Sequence, residues 1–195
     1  MIILASNSDL RRMIMELSGL PFKMAVREID ERGIEDQNPD KSAEEIVTML
    51  AIAKAQAVAS DFPDDVVVAA DTFAVLPNGQ RLHKTKTFEE SVQLSMQQSG
   101  KTMEVHTGMA MVRRGELLTN SIIAQVTYAH FDEATVRHLF QINQTPKRRN
   151  AALGFFADAP GFTLVEKIEG SYLGAMGLPM EIVRANLERL DYRQS

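Results

Sequence analysis

The chain contains no cysteine. This excludes a disulfide framework, a thiol nucleophile and every thiolate metal site, so any metal must be held by oxygen or histidine. It also suits a reducing compartment. Long apolar runs are missing as well. The N-terminal run Met1-Ile2-Ile3-Leu4-Ala5 stops after about five residues, far short of the roughly 18 that a membrane span requires. A soluble, cytoplasmic protein with no membrane partner is therefore expected. Basic blocks are scarce too. Lys147-Arg148-Arg149 is the longest and the net charge is −5, which argues against extended nucleic-acid binding but leaves room for a small anion in a local basic pocket. The four histidines show no H-x-x-x-H spacing, so no zinc is assigned. A G-x-x-x-x-G-K-[ST] loop is absent, which disfavours a phosphate-transferring kinase.

What remains is a chain of 195 residues, 45% hydrophobic and 24% charged, enough for one globular domain over 1–195, in one lobe or two. Its first dozen residues carry the strongest signal. A short apolar strand breaks into Ser6-Asn7-Ser8-Asp9 and opens a helix bearing Arg11 and Arg12. A helix N-terminus carries partial positive charge, so adjacent arginines in its first turn are unfavourable unless an anion sits beside them. Backbone N–H groups, short hydroxyls and two guanidinium forks would form a phosphate cradle. The competing reading is that Ser8 or Asp9 merely caps the helix while both arginines face solvent.

Further along, Phe22–Val26 alternates like a strand and leads into an acidic loop from Glu28 to Asp40. Ser42 and Glu45 form a capping box that opens a helix to about Ser60. Asp65–Ala70 reads as a central strand buried on both faces, ended by Asp71. A helix over Thr87–Gln98 precedes two long strands, Thr102–Val112 and Leu117–His130, joined by a turn at Arg113–Glu116. Asp132 caps a helix to about Ile142, Phe162–Val165 is strand-like, and a helix runs from Pro179 to Leu190. Interleaved strands and helices with an inserted hairpin indicate an α/β fold with a mixed sheet.

Three positions stand out for chemistry. Asp71, at the carboxyl end of a buried strand, could ligate a divalent cation or take a proton from an attacking water, or could simply form a turn. Lys54 shares a helix face with Ile46, Leu50 and Val58, so it either snorkels to solvent or meets a phosphate or carboxylate. Glu31, beside Asp30, is either a solvated loop charge or, with Asp71, part of an oxygen-only magnesium site. Lys84, in a loop, signals little alone.

On these residues the chain resembles the Maf family of nucleoside triphosphate pyrophosphatases over nearly its whole length. Leu4-Ala5-Ser6-Asn7-Ser8 with Arg11-Arg12 resembles the family's L-A-S-x-S-P-x-R-R opening. Ile29-Asp30-Glu31, Ala53-Lys54-Ala55, Ala70-Asp71-Thr72, Thr107-Gly108, Glu169-Gly170-Ser171-Tyr172 and Gly177-Leu178-Pro179 follow in the family's order. The resemblance implies a mixed α/β fold in two lobes with a substrate cleft between them, as in inosine triphosphatases, and attack of a metal-assisted water on the α-phosphate of a nucleoside triphosphate. Asp71 would accept the proton. Ser8, Arg11, Arg12, Lys54 and Lys84 would hold the triphosphate, and Glu31 with Asp71 would bind magnesium or manganese. Leu10, Thr72 and Asp158 correspond to positions that separate family enzymes for thymidine and uridine triphosphates from those for 7-methylguanosine triphosphate. Thr72 resembles the first group; Leu10 and Asp158 lean to the second. Family members often form homodimers. Asp9 and Thr85 stand where the family usually has proline, and Asn150–Gly154 is a poor copy of a segment that shapes the base pocket. Those departures motivate a second reading, a nucleotide-binding regulatory protein with weakened turnover.

Overall fold

Val66–Ala70 presents apolar side chains on both sides of its pleat, and the fold covers both. The computed structural model describes residues 1–82, 85, 87–142 and 163–192. In chain order they form β1 (Ile2–Leu4), α1 (Asp9–Leu17), β2 (Phe22–Met24), α2 (Glu31–Asp36), α3 (Ala43–Ala59), β3 (Val66–Val75), β4 (Arg81–Leu82), α4 (Phe88–Met96), β5 (Thr102–Arg113), β6 (Glu116–Tyr128), α5 (Glu133–Ile142), β7 (Val165–Glu169), α6 (Tyr172–Ala175) and α7 (Met180–Arg189). The seven strands are ordered β2-β1-β3-β5-β6-β7, with β4 on β3. β1 pairs parallel with β2 and β3, whereas β3–β4 and β6–β7 are antiparallel, so the sheet is mixed as expected.

By backbone contacts the chain divides into two compact units. The first comprises residues 1–72, 106–123 and 173–195, the second 73–105 and 124–172. In the first unit, strand alternation assigns each face its cover. Ile2, Leu4, Val66, Val68 and Ala70 pack with Ile14 and Met15 of α1 and Val183 and Leu187 of α7. Ile3, Ala5, Val67 and Ala69 pack instead with Ala51, Ala55 and Val58 of α3. Truncating one of the fully buried members, such as Leu4, to alanine would cost about 2–5 kcal/mol. The second unit has a smaller core in which Val92, Val136 and Phe140 are joined by Phe88, Met96 and Leu164.

Local signals place most ends. The Ser42–Glu45 capping box is present in full, and a second one, Thr87 with Glu90, starts α4. Asp132 accepts the Thr135 amide at 2.8 Å ahead of α5. The β5–β6 hairpin turns through Arg114 and Gly115, both with positive φ, 50° and 81°, the backbone that a tight two-residue turn requires.

The structure departs from three expectations. The strand expected over Phe162–Val165 runs instead over Val165–Glu169, with Thr163 and Leu164 in a turn before it and Phe162 outside the described residues. β3 does not end at Asp71 but continues to Val75, where Ala74 and Val75 pair with β4; the added ladder carries the strand past a carboxylate whose charge is compensated. Likewise, Glu28–Asp40 is not all loop. Asp30 accepts the Gly33 amide at 2.8 Å and caps the short helix α2, which Glu31 begins.

Candidate active site

The candidate residues that the structure describes all belong to the first unit. Alternation in β3 sends Asp71 to the face covered by α3 and Thr72 to the face covered by α1, so neighbouring residues serve two different groups. On the α3 side, Lys54 lies on the helix between buried Ala51, Ala55 and Val58. Its Nζ donates to the Asp71 carboxylate and stands 3.0 Å from Glu31 Oε1. The Asp71 side chain is 10% exposed and that of Lys54 18%, against 51% for Glu31. Lys54 therefore does not snorkel: its ammonium reaches both carboxylates. A buried lysine and aspartate in contact sustain one another, since either alone in that setting would be a desolvated charge.

On the other side, α1 opens directly behind β1. Ser8 is its N-cap, its Oγ accepting the Arg11 amide at 3.3 Å. The two arginines then diverge. Arg11 lies three and four residues before the buried Ile14 and Met15 and turns inward. Its Nε donates to the Gly177 carbonyl at 2.8 Å, its Nη2 to Thr72 Oγ1 at 3.1 Å and its Nη1 to Ser6 Oγ at 3.4 Å. Burial lowers its pKa, opposed by the negative charges of Asp71 and Glu31. Arg12 lies on the exposed side, its guanidinium 3.3 Å from Asp9 and 3.8 Å from Glu16. Protein carboxylates thus supply the anion that the sequence demanded for Arg12, while Arg11 meets only uncharged oxygens. Asp9 sits with Arg12.

Leu10 is partly buried and packs against the core beneath α1. Lys84, Asp158 and the segment Asn150–Gly154 lie outside the described residues. Sequence reasoning missed Ser6 and Gly177 as holders of Arg11, and Thr107 as the partner of Thr72 behind it. Thr107 is buried, its Oγ1 donating to the Gly174 carbonyl at 2.9 Å and lying 3.0 Å from Thr72 Oγ1. Gly177 has φ 98°, and a Cβ there would stand 3.2 Å from Thr72 Oγ1 and 3.4 Å from Arg11 Nε. Only glycine suits that position, because the backbone is left-handed and the carbonyl must face Arg11 at close range.

For a divalent cation the relevant donors are Glu31 and Asp71. Among the described residues no group of three or more His, Asp or Glu side chains is gathered for a metal. Two carboxylates fit magnesium or manganese when water and substrate phosphates complete the shell.

A family model described as Maf-like protein matches residues 1–190. The chain belongs to this family. Among Maf-like relatives, it is 32% identical over 195 residues to a nucleoside triphosphate pyrophosphatase of Corynebacterium diphtheriae, covering 100% of this chain and 96% of the relative. It is 34% identical to a 7-methyl-GTP pyrophosphatase of Rhizobium johnstonii (92% and 90% covered) and 31% identical to a dTTP/UTP pyrophosphatase of a Geobacillus species (98% and 98%). The Ham1 protein of Staphylococcus aureus aligns at 16% identity with a TM-score of 0.43, over 66% of this chain and 71% of that one, a likeness too slight to carry an argument. Among the described residues no helix is long and apolar enough to cross a membrane.

Proposed function

We propose that this chain is a nucleoside triphosphate pyrophosphatase, a hydrolase of acid anhydrides that converts a nucleoside triphosphate to the monophosphate and pyrophosphate. The observation that carries the reading is the Lys54 ammonium joined to Asp71 and Glu31 in the same unit as an inward-turned Arg11 whose partners are all neutral oxygens. Names of full-length Maf-like relatives support the same chemistry. A single domain is part of the proposal, supported by a family match that runs through both compact units.

In this reading Arg11 and the Ser8 turn receive the phosphates as a fixed cation and dipoles that need no rearrangement as charge develops, and Arg12 joins them by exchanging Asp9 and Glu16 for phosphate. Lys84 belongs to the same set by resemblance. Asp71 takes the proton of the water that attacks the α-phosphorus. The new P–O bond forms as the bond to the bridging oxygen breaks, and pyrophosphate leaves with the electron pair. Lys54 orients Asp71 and balances its charge before substrate arrives. Magnesium or manganese, held by Glu31 and Asp71 and shared with the phosphates, would supply further stabilisation of negative charge on the oxygens.

For the base, Thr72 points to thymidine and uridine triphosphates and Leu10 with Asp158 to 7-methylguanosine triphosphate, and relatives with both names are similar to this chain. The test is pyrophosphate release from these triphosphates and cytidine triphosphate, with magnesium or manganese and an Asp71→Asn control. Turnover of at least one substrate, falling about 10²–10⁴-fold in kcat in the variant, is expected for loss of a general base. Tight triphosphate binding without product would favour the regulatory reading instead.

A further inference from the structure

We propose that Thr107 is a positioning residue for the triphosphate, acting through Thr72 on Arg11. This role rests on the phosphate-binding reading of Arg11 and deepens it.

Proton direction is the first step. A threonine hydroxyl has one proton and two acceptor lone pairs. Thr107 is buried and its Oγ1 donates to the Gly174 carbonyl at 2.9 Å. That leaves only lone pairs toward Thr72 Oγ1, 3.0 Å away, so Thr72 must be the donor in that pair. Having turned its proton toward Thr107, Thr72 shows its own lone pairs to Arg11 Nη2 at 3.1 Å. The polarity of the whole relay, Arg11 to Thr72 to Thr107 to Gly174, is therefore set at its far end by a backbone carbonyl.

The second step is what this does for charge. The Arg11 fork uses three of its five N–H groups on Gly177, Thr72 and Ser6, none of which carries charge. The guanidinium is fixed in orientation yet its positive charge is not cancelled by a contacting carboxylate, and the remaining N–H groups suit an anion. Without the Thr107 acceptor, the Thr72 proton is free to rotate toward Arg11 and oppose it. Thr107 bonds Thr72 and not the guanidinium, so its influence on the phosphates passes through Thr72 to Arg11.

Placement follows from the pleat. Thr107 shares its strand face with Met109 and Met111, which pack under α1, and the next residue, Gly108, approaches α3 so closely that a Cβ would stand 2.4 Å from the Thr48 amide nitrogen. The register that seats β5 against α3 thus also aims Thr107 at Thr72.

The test compares Thr107→Val and Thr107→Ser with the parent chain in KM and kcat for whichever triphosphate is turned over. Inorganic tripolyphosphate, which has no base, serves as the calorimetric binding probe. Thr107→Val is expected to raise KM and the tripolyphosphate Kd about tenfold, the scale of one hydrogen bond to a charged group, with kcat within about twofold. Thr107→Ser, which keeps the hydroxyl, is expected to restore both. In an Arg11→Lys background Thr107→Val should change neither quantity further, because a residue acting only through Arg11 has nothing left to position. If Thr107→Val does not fold, Thr72→Val tests the same relay and is expected to raise KM alike. An unchanged KM with unchanged tripolyphosphate binding, or an equal loss in the Arg11→Lys background, overturns the proposal. Should no triphosphate release pyrophosphate, the functional reading fails separately. Tripolyphosphate binding then still judges the relay, and absent or Thr107-independent binding sinks it.

Discussion

Arg11 in the first unit and Arg137 in the second are each held by three hydrogen bonds, with opposite electrostatic results. Arg137 donates from Nε to Glu133 at 2.7 Å and from Nη1 and Nη2 to Glu89 at 2.9 and 2.6 Å, with its guanidinium 5.6 Å from the centre of the Phe88 ring. The Glu89 and Glu133 bonds raise its pKa, and the same contact lowers that of Glu89. Its charge is already neutralised, and the cluster serves to clasp α4 to α5. Arg11 meets carbonyl and hydroxyl oxygens, and burial lowers its pKa. A fork held by neutral dipoles keeps its charge available for a substrate, whereas a fork held by carboxylates is a structural fastener. The acceptors, rather than the number of bonds, separate the two.

The sharpest way to break this contrast is to weaken both forks equally. Arg11→Lys loses the planar geometry and is expected to lower kcat/KM about 10–100-fold, while Arg137→Lys leaves kcat/KM unchanged. Comparable losses at both positions would erase the distinction. Arg12, shared between Asp9 and Glu16 at the exposed side of α1, should fall between them. Arg12→Gln is expected to raise KM about two- to fivefold at low salt, an effect that shrinks as salt screens it. For Arg137→Met the expected change is in stability alone, a fall in melting temperature at neutral pH with steady-state kinetics intact.

The smallest effect concerns pH. Glu45, which accepts from Lys41 and the Ser42 amide, has its pKa lowered to about 2 from an ordinary 4.5. A depressed carboxylate pKa contributes stability that is complete above 4.5 and lost as pH falls from there toward 2. The melting-temperature gap between the parent chain and Glu45→Gln should therefore be constant above about pH 5 and close as the solution is acidified. A gap that widens in acid would contradict the Lys41 and Ser42 contacts as the source of the shift.

Much of this was legible along the chain. The capping box at Ser42–Glu45, the Asp132 cap and the Val66–Ala70 core strand all rest on contacts within a few residues or on simple alternation, and all were found where the pattern put them. Helical spacing also held information left unread: Arg11 belongs to the stripe of Ile14 and Met15, and Arg12 to that of Asp9 and Glu16, so the pair need not act as a unit. The end of β3 was misplaced because a charged residue usually terminates a buried strand, and its compensating lysine lies 17 residues away on α3. The helix at Glu31–Asp36 was missed because it is only six residues long and holds Gly33 and Asp36, both weak helix formers, and the Asp30 cap overrides them.

By itself, then, the sequence determined the local units, the alternating faces of β3 and the chemical identity of the candidate groups, because those follow from propensity, capping and period-2 or period-3.6 repeats. Tertiary structure alone decided which groups meet. Arg11 bonds Gly177 across 166 residues, and Thr107 reaches Gly174 across 67. No spacing rule encodes such pairs; they form because sheet register and helix packing bring distant oxygens within hydrogen-bond reach of buried donors that cannot go unsatisfied.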